Sequence, residues 1–359
     1  MNHEVEQPKS HAQQSKAWGW LFKLLMLFML LGLGVAVYAY IQYKTFIEAP
    51  ISKQNTVLHL HVQSGSSAHR VAQQLHEQGF MSEPKWFVLY LRYLKKHHII
   101  KAGEFEIQPH WTVDELIQAL EKAKNIQYPV TIIAGHTFKQ TIETIQALPK
   151  IKKVLNADDA KAIQAVFGIK GEISIKYPFA HLEGQFLPET YYYQRGDSDK
   201  DILMRAHQAL KQSLEKAWKN RAQNLPYKNQ YEALIMASIV EKETGYEPER
   251  PLIAGVFVRR LNKGMRLQTD PTVIYGIGAG YDGNIRRKDL RAKTPYNTYT
   301  INRLPPTPIA MASADAIQAV LNPAQTKALY FVAKGGGQHY FSKTLAEHNR
   351  AVRKYLLNK

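Results

Sequence analysis

The sequence predicts an α+β protein in three parts: an N-terminal single transmembrane helix, a small α+β module and a larger α+β domain. Residues 24–41 read LLMLFMLLGLGVAVYAYI, without one charge. Residues 55–125 alternate strand-like and helix-like patterns at short intervals. From residue 128 onward, longer helical patterns are separated by turn-rich stretches dense in Pro, Gly, Tyr and Thr. The 359 residues suffice for an anchor and about two globular domains. An apolar fraction of 45% and an aromatic fraction of 11% supply a packed core.

At about 1.5 Å per residue, the apolar run approaches the roughly 30 Å of a hydrocarbon core, and the predicted span is 21–43. Trp18, Trp20, Tyr38, Tyr40 and Tyr43 flank it as interfacial aromatics, and Lys16, Lys23 and Lys44 can reach the headgroups. A cleaved signal peptide is the rival reading. Its apolar stretch is normally shorter, and Val37-Tyr38-Ala39 matches a small-x-small cleavage site poorly. Lys9, Lys16 and Lys23 precede the run, offset by Glu4 and Glu6, while Lys44, Glu48 and Lys53 follow it. The positive-inside rule then puts residues 1–20 in the cytoplasm and the bulk of the chain across the membrane.

The module at 55–125 opens with Val57 to Val62, an alternating strand. Ser66-Ser67 starts a helix ending near Gly79, and a second helix runs from Pro84 to Tyr93. Gly103 to Ile107 is another strand, and Thr112 caps a third helix with an acidic first turn. Strand, two helices, strand is the order of a LysM-like module, which this stretch resembles; a spacer domain without a ligand has the same pattern.

The larger unit, 128–359, begins with a strand at Tyr128 to Ile133. Its predicted helices include Gln140 to Ala147, Asp199 to Trp218, Tyr231 to Glu243 and Glu249 to Leu261. Ala328 to Val332 and His339 to Phe341 flank three glycines as a hairpin, and Thr344 with Glu347 forms a capping box.

The formal net charge of +17 implies an acidic partner: nucleic acid, anionic lipid or an acidic polymer. The basic residues are scattered. Their densest clusters, Lys95-Lys96-His97-His98 and Arg286-Arg287-Lys288, belong to no nucleic-acid module, so nucleic acid is not expected. Cysteine is absent, which excludes disulfides, zinc–thiolate sites and a thiol nucleophile. The histidines lack HExxH or comparable spacing, so neither a metal nor another cofactor is expected.

The segment richest in chemistry is YEALIMASIVEKETG, residues 231–245. Ala233 to Val240 is almost wholly apolar, which predicts a helix buried around most of its circumference. Glu241 follows at once. Desolvation and the negative end of the helix dipole both disfavour its ionised form, and a protonated carboxyl suits a glycosidic leaving oxygen. Glu243 lies about 200° further round, so the two cannot share one side of a cleft while the helix is regular. An ordinary solvated helix end is the alternative. His181 to Tyr191 mixes a carboxylate, glycine, proline and aromatics of the kind that bind sugars. In Gly264 to Gly276, Asp270 is either a cleft residue or the N-cap of a helix with Pro271 first.

LEGQFLPETYYY at 182–193, LPYK at 225–228, MASIVEKET at 236–244, GMRLQTDPTVIYG at 264–276, TPYNTYT at 294–300 and LPPTPIA at 304–310 stand in a specific order and spacing. With them the chain resembles the endolytic murein transglycosylases, or YceG-like proteins, over the anchor, the small module and the whole catalytic domain at 128–359. The resemblance implies cleavage of the β-1,4 bond between N-acetylmuramic acid and N-acetylglucosamine in peptidoglycan glycan strands. Glu241, first of the EKET string, would be the catalyst, acting as acid on the glycosidic oxygen and then as base on the muramyl C6 hydroxyl. Glu183, Tyr191, Gln268, Asp270, Tyr275, Asn297 and Tyr299 fall in the other strings and are expected to contribute to the substrate cleft. The closing 1,6-anhydro ring dispenses with water and with a second carboxylate, unlike hydrolysis. If Glu183 or Asp270 supplies that second carboxylate, the protein is a muramidase instead. A non-catalytic peptidoglycan-binding scaffold has no use for Glu241. The resemblance further implies an inner-membrane enzyme with a periplasmic catalytic domain, termination of nascent strands, and partnership with peptidoglycan synthases.

Overall fold

The computed structural model describes residues 12–96, 98, 100–122 and 125–357, with side chains from residue 19 onward. Glu4, Glu6 and Lys9, and the side chains of Lys16, Trp18 and His97, lie outside the described residues. The chain divides into two compact units, Met1–Ile126 and Gln127–Lys359, both mixing helix and strand.

The first unit opens with α1 (Ala12–Glu48), which includes the apolar run. Its Gly19–Glu48 segment contains an 18-residue stretch with a mean hydropathy of 2.4 and is long and apolar enough to cross a membrane. A helix suits that environment because its backbone donors and acceptors are paired internally. The last turns of α1 dock onto their own unit: Tyr43, Phe46 and Ile47 pack against its core. The Tyr43 ring meets Tyr90 edge-on at 6.0 Å and Trp86 at 6.4 Å. Then follow β1 (Leu58–Val62), α2 (Ala68–Glu77), α3 (Pro84–Tyr93), β2 (Gly103–Ile107) and α4 (Val113–Glu121). The two strands pair antiparallel with Leu60 opposite Phe105. Leu60, Val62, Phe105 and Ile107 thereby fall on one buried face, as the period of two requires. Ser67 Oγ accepts the Arg70 N–H at the start of α2, and Thr112 and Glu115 cap α4 reciprocally.

In the second unit, β3 (Tyr128–Thr131) pairs antiparallel with β4 (Thr190–Tyr193). They share a core with α5 (Phe138–Gln146), α6 (Ala160–Phe167) and the first turns of α7 (Asp199–Lys219). A second core gathers around α8 (Gln230–Glu243), on which α7, α9 (Arg250–Asn262), α10 (Asp270–Ile277) and α12 (Ala314–Leu321) all pack. The short α11 (Arg287–Arg291) precedes α12. The hairpin of β5 (Tyr330–Gly335) and β6 (Gln338–Ser342), then α13 (Leu345–Val352), complete the unit.

Every residue of α8 from Ala233 to Val240 is buried, as its composition predicts. Ser238 is the polar member of that run. Its hydroxyl donates to the Ile235 carbonyl at 2.7 Å and accepts the Ile309 N–H at 3.0 Å, so burial leaves it satisfied. Three short helices, α6, α11 and α12, have no counterpart in the sequence reading, although Asp159 and Ser313 cap α6 and α12 by accepting backbone N–H groups. At α10, Thr269 precedes the helix and Asp270 and Pro271 are its first two residues, so Asp270 is not the N-cap. Ile239→Ala should destabilise the protein by about 2–5 kcal/mol, the usual cost of emptying a buried aliphatic site. The urea midpoint of the detergent-solubilised chain checks this.

Candidate active site

The last turn of α8 sends three consecutive side chains in three directions, about 100° apart. Glu241 turns toward the next helix and α12. Arg250 Nη2 donates to one carboxylate oxygen at 2.8 Å, and the Ser313 N–H donates to the other at 3.0 Å, joined by the Ser313 hydroxyl. The ion pair is almost sealed, with the Arg250 and Glu241 side chains 8% and 5% exposed. Because Ser313 is the N-cap of α12, the carboxylate also sits at the positive end of that helix dipole. Glu241 is thus as buried as its apolar approach predicts, but it is compensated by a guanidinium and two donors, which the local sequence does not announce.

Glu243 turns the other way and accepts the Thr269 hydroxyl at 2.5 Å. Burial raises its pKa above the usual carboxylate range, with the Thr269 bond opposing and nearby Asp270 adding to the rise. Asp270 accepts the Tyr299 hydroxyl at 2.7 Å. Gln268, beside them, is exposed and holds φ +50°, a left-handed conformation costly for a residue with a Cβ.

Lys242 lies between. It donates to the Gly135 carbonyl at 3.2 Å and lines a cavity of about 330 Å³ within the second unit. Tyr177, Phe179, Ile274, Tyr275 and Ile309 form its apolar wall, and Lys139, Lys176 and Glu183 are among its polar lining. Tyr177 and Tyr275 stack at 6.1 Å and 16°, with Tyr296 against both at 4.8 and 4.7 Å. Glu183 is 3% exposed. It accepts the Phe138 N–H at 2.8 Å and the Tyr275 hydroxyl at 3.4 Å. Burial outweighs those bonds and pushes its pKa up to about 8, so it is mostly a neutral carboxylic acid near pH 7. Burial likewise raises the Tyr275 hydroxyl, and Glu183 adds to the rise. Gly184 makes the turn: its φ is +71°, and a Cβ there would stand 2.7 Å from the Pro308 side chain.

The structure therefore joins Glu183 with Tyr275, and Asp270 with Tyr299, in two separate pairs. Glu241 is not among the residues lining the cavity. Two further sequence candidates make hydrogen bonds within the fold. Tyr191 packs at the edge of the β3–β4 core and donates to the Leu187 carbonyl at 2.8 Å. Asn297 is buried; its amide donates to the carbonyls of Asp289, Leu290 and Ala292, and its oxygen accepts the Tyr299 N–H at 2.9 Å. Sequence reasoning missed Arg250, Ser313, Tyr177 and the cavity lysines. Arg250 stands only nine residues past Glu241, at the head of the next helix, and that proximity was a usable signal; Ser313 gave none.

With this geometry in place, the chain belongs to the YceG-like family, whose family model matches residues 60–354. It is 32% identical over 339 residues to a Bacillus subtilis protein named endolytic murein transglycosylase, covering 89% of this chain and 91% of that one. A Streptococcus pneumoniae protein of the same name is 28% identical over 324 residues, and the match spans 83% of this chain and 58% of that longer relative. A crystal structure of a YceG-like protein from Listeria monocytogenes superposes with a TM-score of 0.53 at 30% identity, covering 83% of this chain and all of the other.

Two predictions come from the carboxyls. Between the ordinary value of 4.5 and about 8, folded Glu183 keeps a proton that the unfolded chain has released, so its burial costs stability increasingly as pH rises through that window. Glu183→Gln stays neutral throughout; its melting temperature should exceed wild type by a margin that widens from pH 5 to pH 8. A constant margin would show that the carboxyl ionises normally. Arg250→Ala strands a buried carboxylate and should cost roughly 3–5 kcal/mol, with much of the loss recovered by adding Glu241→Gln. A denaturant double-mutant cycle measures both.

Proposed function

We propose that the protein is a membrane-anchored endolytic lytic transglycosylase of peptidoglycan, cleaving the bond between N-acetylmuramic acid and N-acetylglucosamine within glycan strands. The observation that carries this reading is the near-full-length similarity to a relative named endolytic murein transglycosylase. The buried helix that presents Glu241, and the aromatic cavity beside it, suit that chemistry. Glu241 is the catalyst in this reading, supported by its place in the EKET string. It gives a proton to the glycosidic oxygen as the C1–O4 bond breaks. It then takes the proton of the C6 hydroxyl as O6 bonds to C1, closing the 1,6-anhydro ring and restoring the acid. Arg250 and Ser313 fix the carboxyl, while Gln268, Asp270 and Tyr299 lie on the Glu243 side of the same helix end and are assigned to glycan binding.

The finer assignments rest on the same resemblance. Residues 1–20 lie in the cytoplasm, 21–43 cross the inner membrane, 55–125 act as a LysM-like module, and 128–359 form the periplasmic catalytic domain. The enzyme terminates nascent strands alongside peptidoglycan synthases. A second reading is favoured by one observation: Glu183, not Glu241, lines the cavity and is held protonated. Glu183 is then the acid, and a second carboxylate activates water, which makes the protein a muramidase. Mass spectrometry of the products from purified peptidoglycan separates the readings. The proposal requires 1,6-anhydromuramyl ends from wild type, their loss in Glu241→Gln, and their persistence in Glu183→Gln. Reducing ends, or loss confined to Glu183→Gln, would favour the second.

A further inference from the structure

The cavity beside α8 has an unusual charge balance for a sugar pocket. Lys139, Lys176 and Lys242 all line it, and among its described lining residues the single carboxyl is Glu183. That carboxyl is mostly neutral near pH 7. The lysines are only lightly engaged. Lys242 gives one donor to the Gly135 carbonyl at 3.2 Å, Lys176 lies over the Tyr177 ring at 5.2 Å, and Lys139 is 4.0 Å from Glu143 on an exposed face. An ammonium has three donors, so each retains capacity for a ligand. Tyr177, Phe179, Tyr275 and Ile274 supply an apolar part of the same lining. A neutral sugar such as N-acetylglucosamine would use the apolar wall and leave the cationic rim without a counter-charge.

Resting on the transglycosylase reading and deepening it, we infer that this cavity selects the muramyl unit through its acidic substituent, with Lys139, Lys176 and Lys242 receiving a carboxylate while the aromatic wall takes an apolar face. The carboxylate has two sources. In a peptide-bearing strand the lactyl group is amidated and the charge belongs to the stem peptide; in a strand stripped of peptides the lactyl carboxylate itself is free.

Binding, not turnover, tests this, so the outcome is separate from whether the reaction is transglycosylation or hydrolysis. Calorimetry on the full chain in detergent would use three tetrasaccharides: chitotetraose, a peptide-free muramyl-containing glycan, and its peptide-bearing form. The probes are compared on Glu241→Gln, with and without Lys139→Gln/Lys176→Gln, and at low and high salt. The acidic probes should bind about tenfold more tightly than chitotetraose, an advantage that shrinks with salt as expected for partly exposed charges. It should also shrink in the Lys139→Gln/Lys176→Gln variant and return in Lys139→Arg/Lys176→Arg, which keeps the charge. Tight binding of the peptide-free probe alone assigns the lactyl carboxylate, tight binding of the peptide-bearing probe alone assigns the stem peptide, and tight binding of both shows that the lysines receive either carboxylate. Equal affinity for chitotetraose, or an advantage unchanged by loss of the lysines, would overturn the inference.

Discussion

The burial of α8 is the constraint on which the second unit depends. Ala233 to Val240 present no exposed face, so α7, α9, α10 and α12 must close around the helix. A run of this kind cannot remain in water, and once enclosed it leaves its last turn no freedom to rotate. The direction of Glu241, Lys242 and Glu243 is therefore decided by packing several residues earlier. Each side chain meets a different part of the fold: Arg250 and Ser313, the Gly135 loop, and Thr269.

Three carboxyls end up buried near this helix, and each is accommodated differently. Glu241 has an ion pair and the head of α12. Glu243 has one short hydroxyl bond and a neighbouring Asp270, which adds to the cost of its charge. Glu183 has two donors insufficient to offset its desolvation, and it keeps its proton. Burial favours the protonated form of Glu183 and Glu243, whereas a guanidinium and two donors hold Glu241. The aromatic stack of Tyr177, Tyr275 and Tyr296 supplies the low-dielectric wall that makes Glu183 an acid.

Much of this was legible in the sequence, because it depends on local patterns. The caps at Ser67, Thr112 and Thr344 and the apolar run of α8 are properties of adjacent residues, and the structure places them where the sequence does. The site was less legible, because its bonds span the chain. Glu183 meets Tyr275 across 92 positions and Glu241 meets Ser313 across 72. The sequence strings that contain Glu183, Glu241 and Tyr275 mark them together without saying which face which, and Ser313 lies outside every string. Asn297 illustrates this: its string reads as a cleft motif, and its amide ties the carbonyls of Asp289 and Leu290 in α11 and of Ala292 at the end of that helix. Asp270 is the converse, a plausible helix cap whose carboxylate turns to Tyr299.

The central claim is that α8 delivers Glu241 to the scissile bond. The most direct measurement is a crystal structure of Glu241→Gln with a peptide-bearing glycan tetrasaccharide bound. The account predicts the scissile oxygen within hydrogen-bond reach of the residue 241 carboxamide, with the muramyl unit in the cavity lined by Lys242 and Tyr275. A glycan whose scissile oxygen lies against Glu183, with residue 241 still held by Arg250 and Ser313, would contradict it.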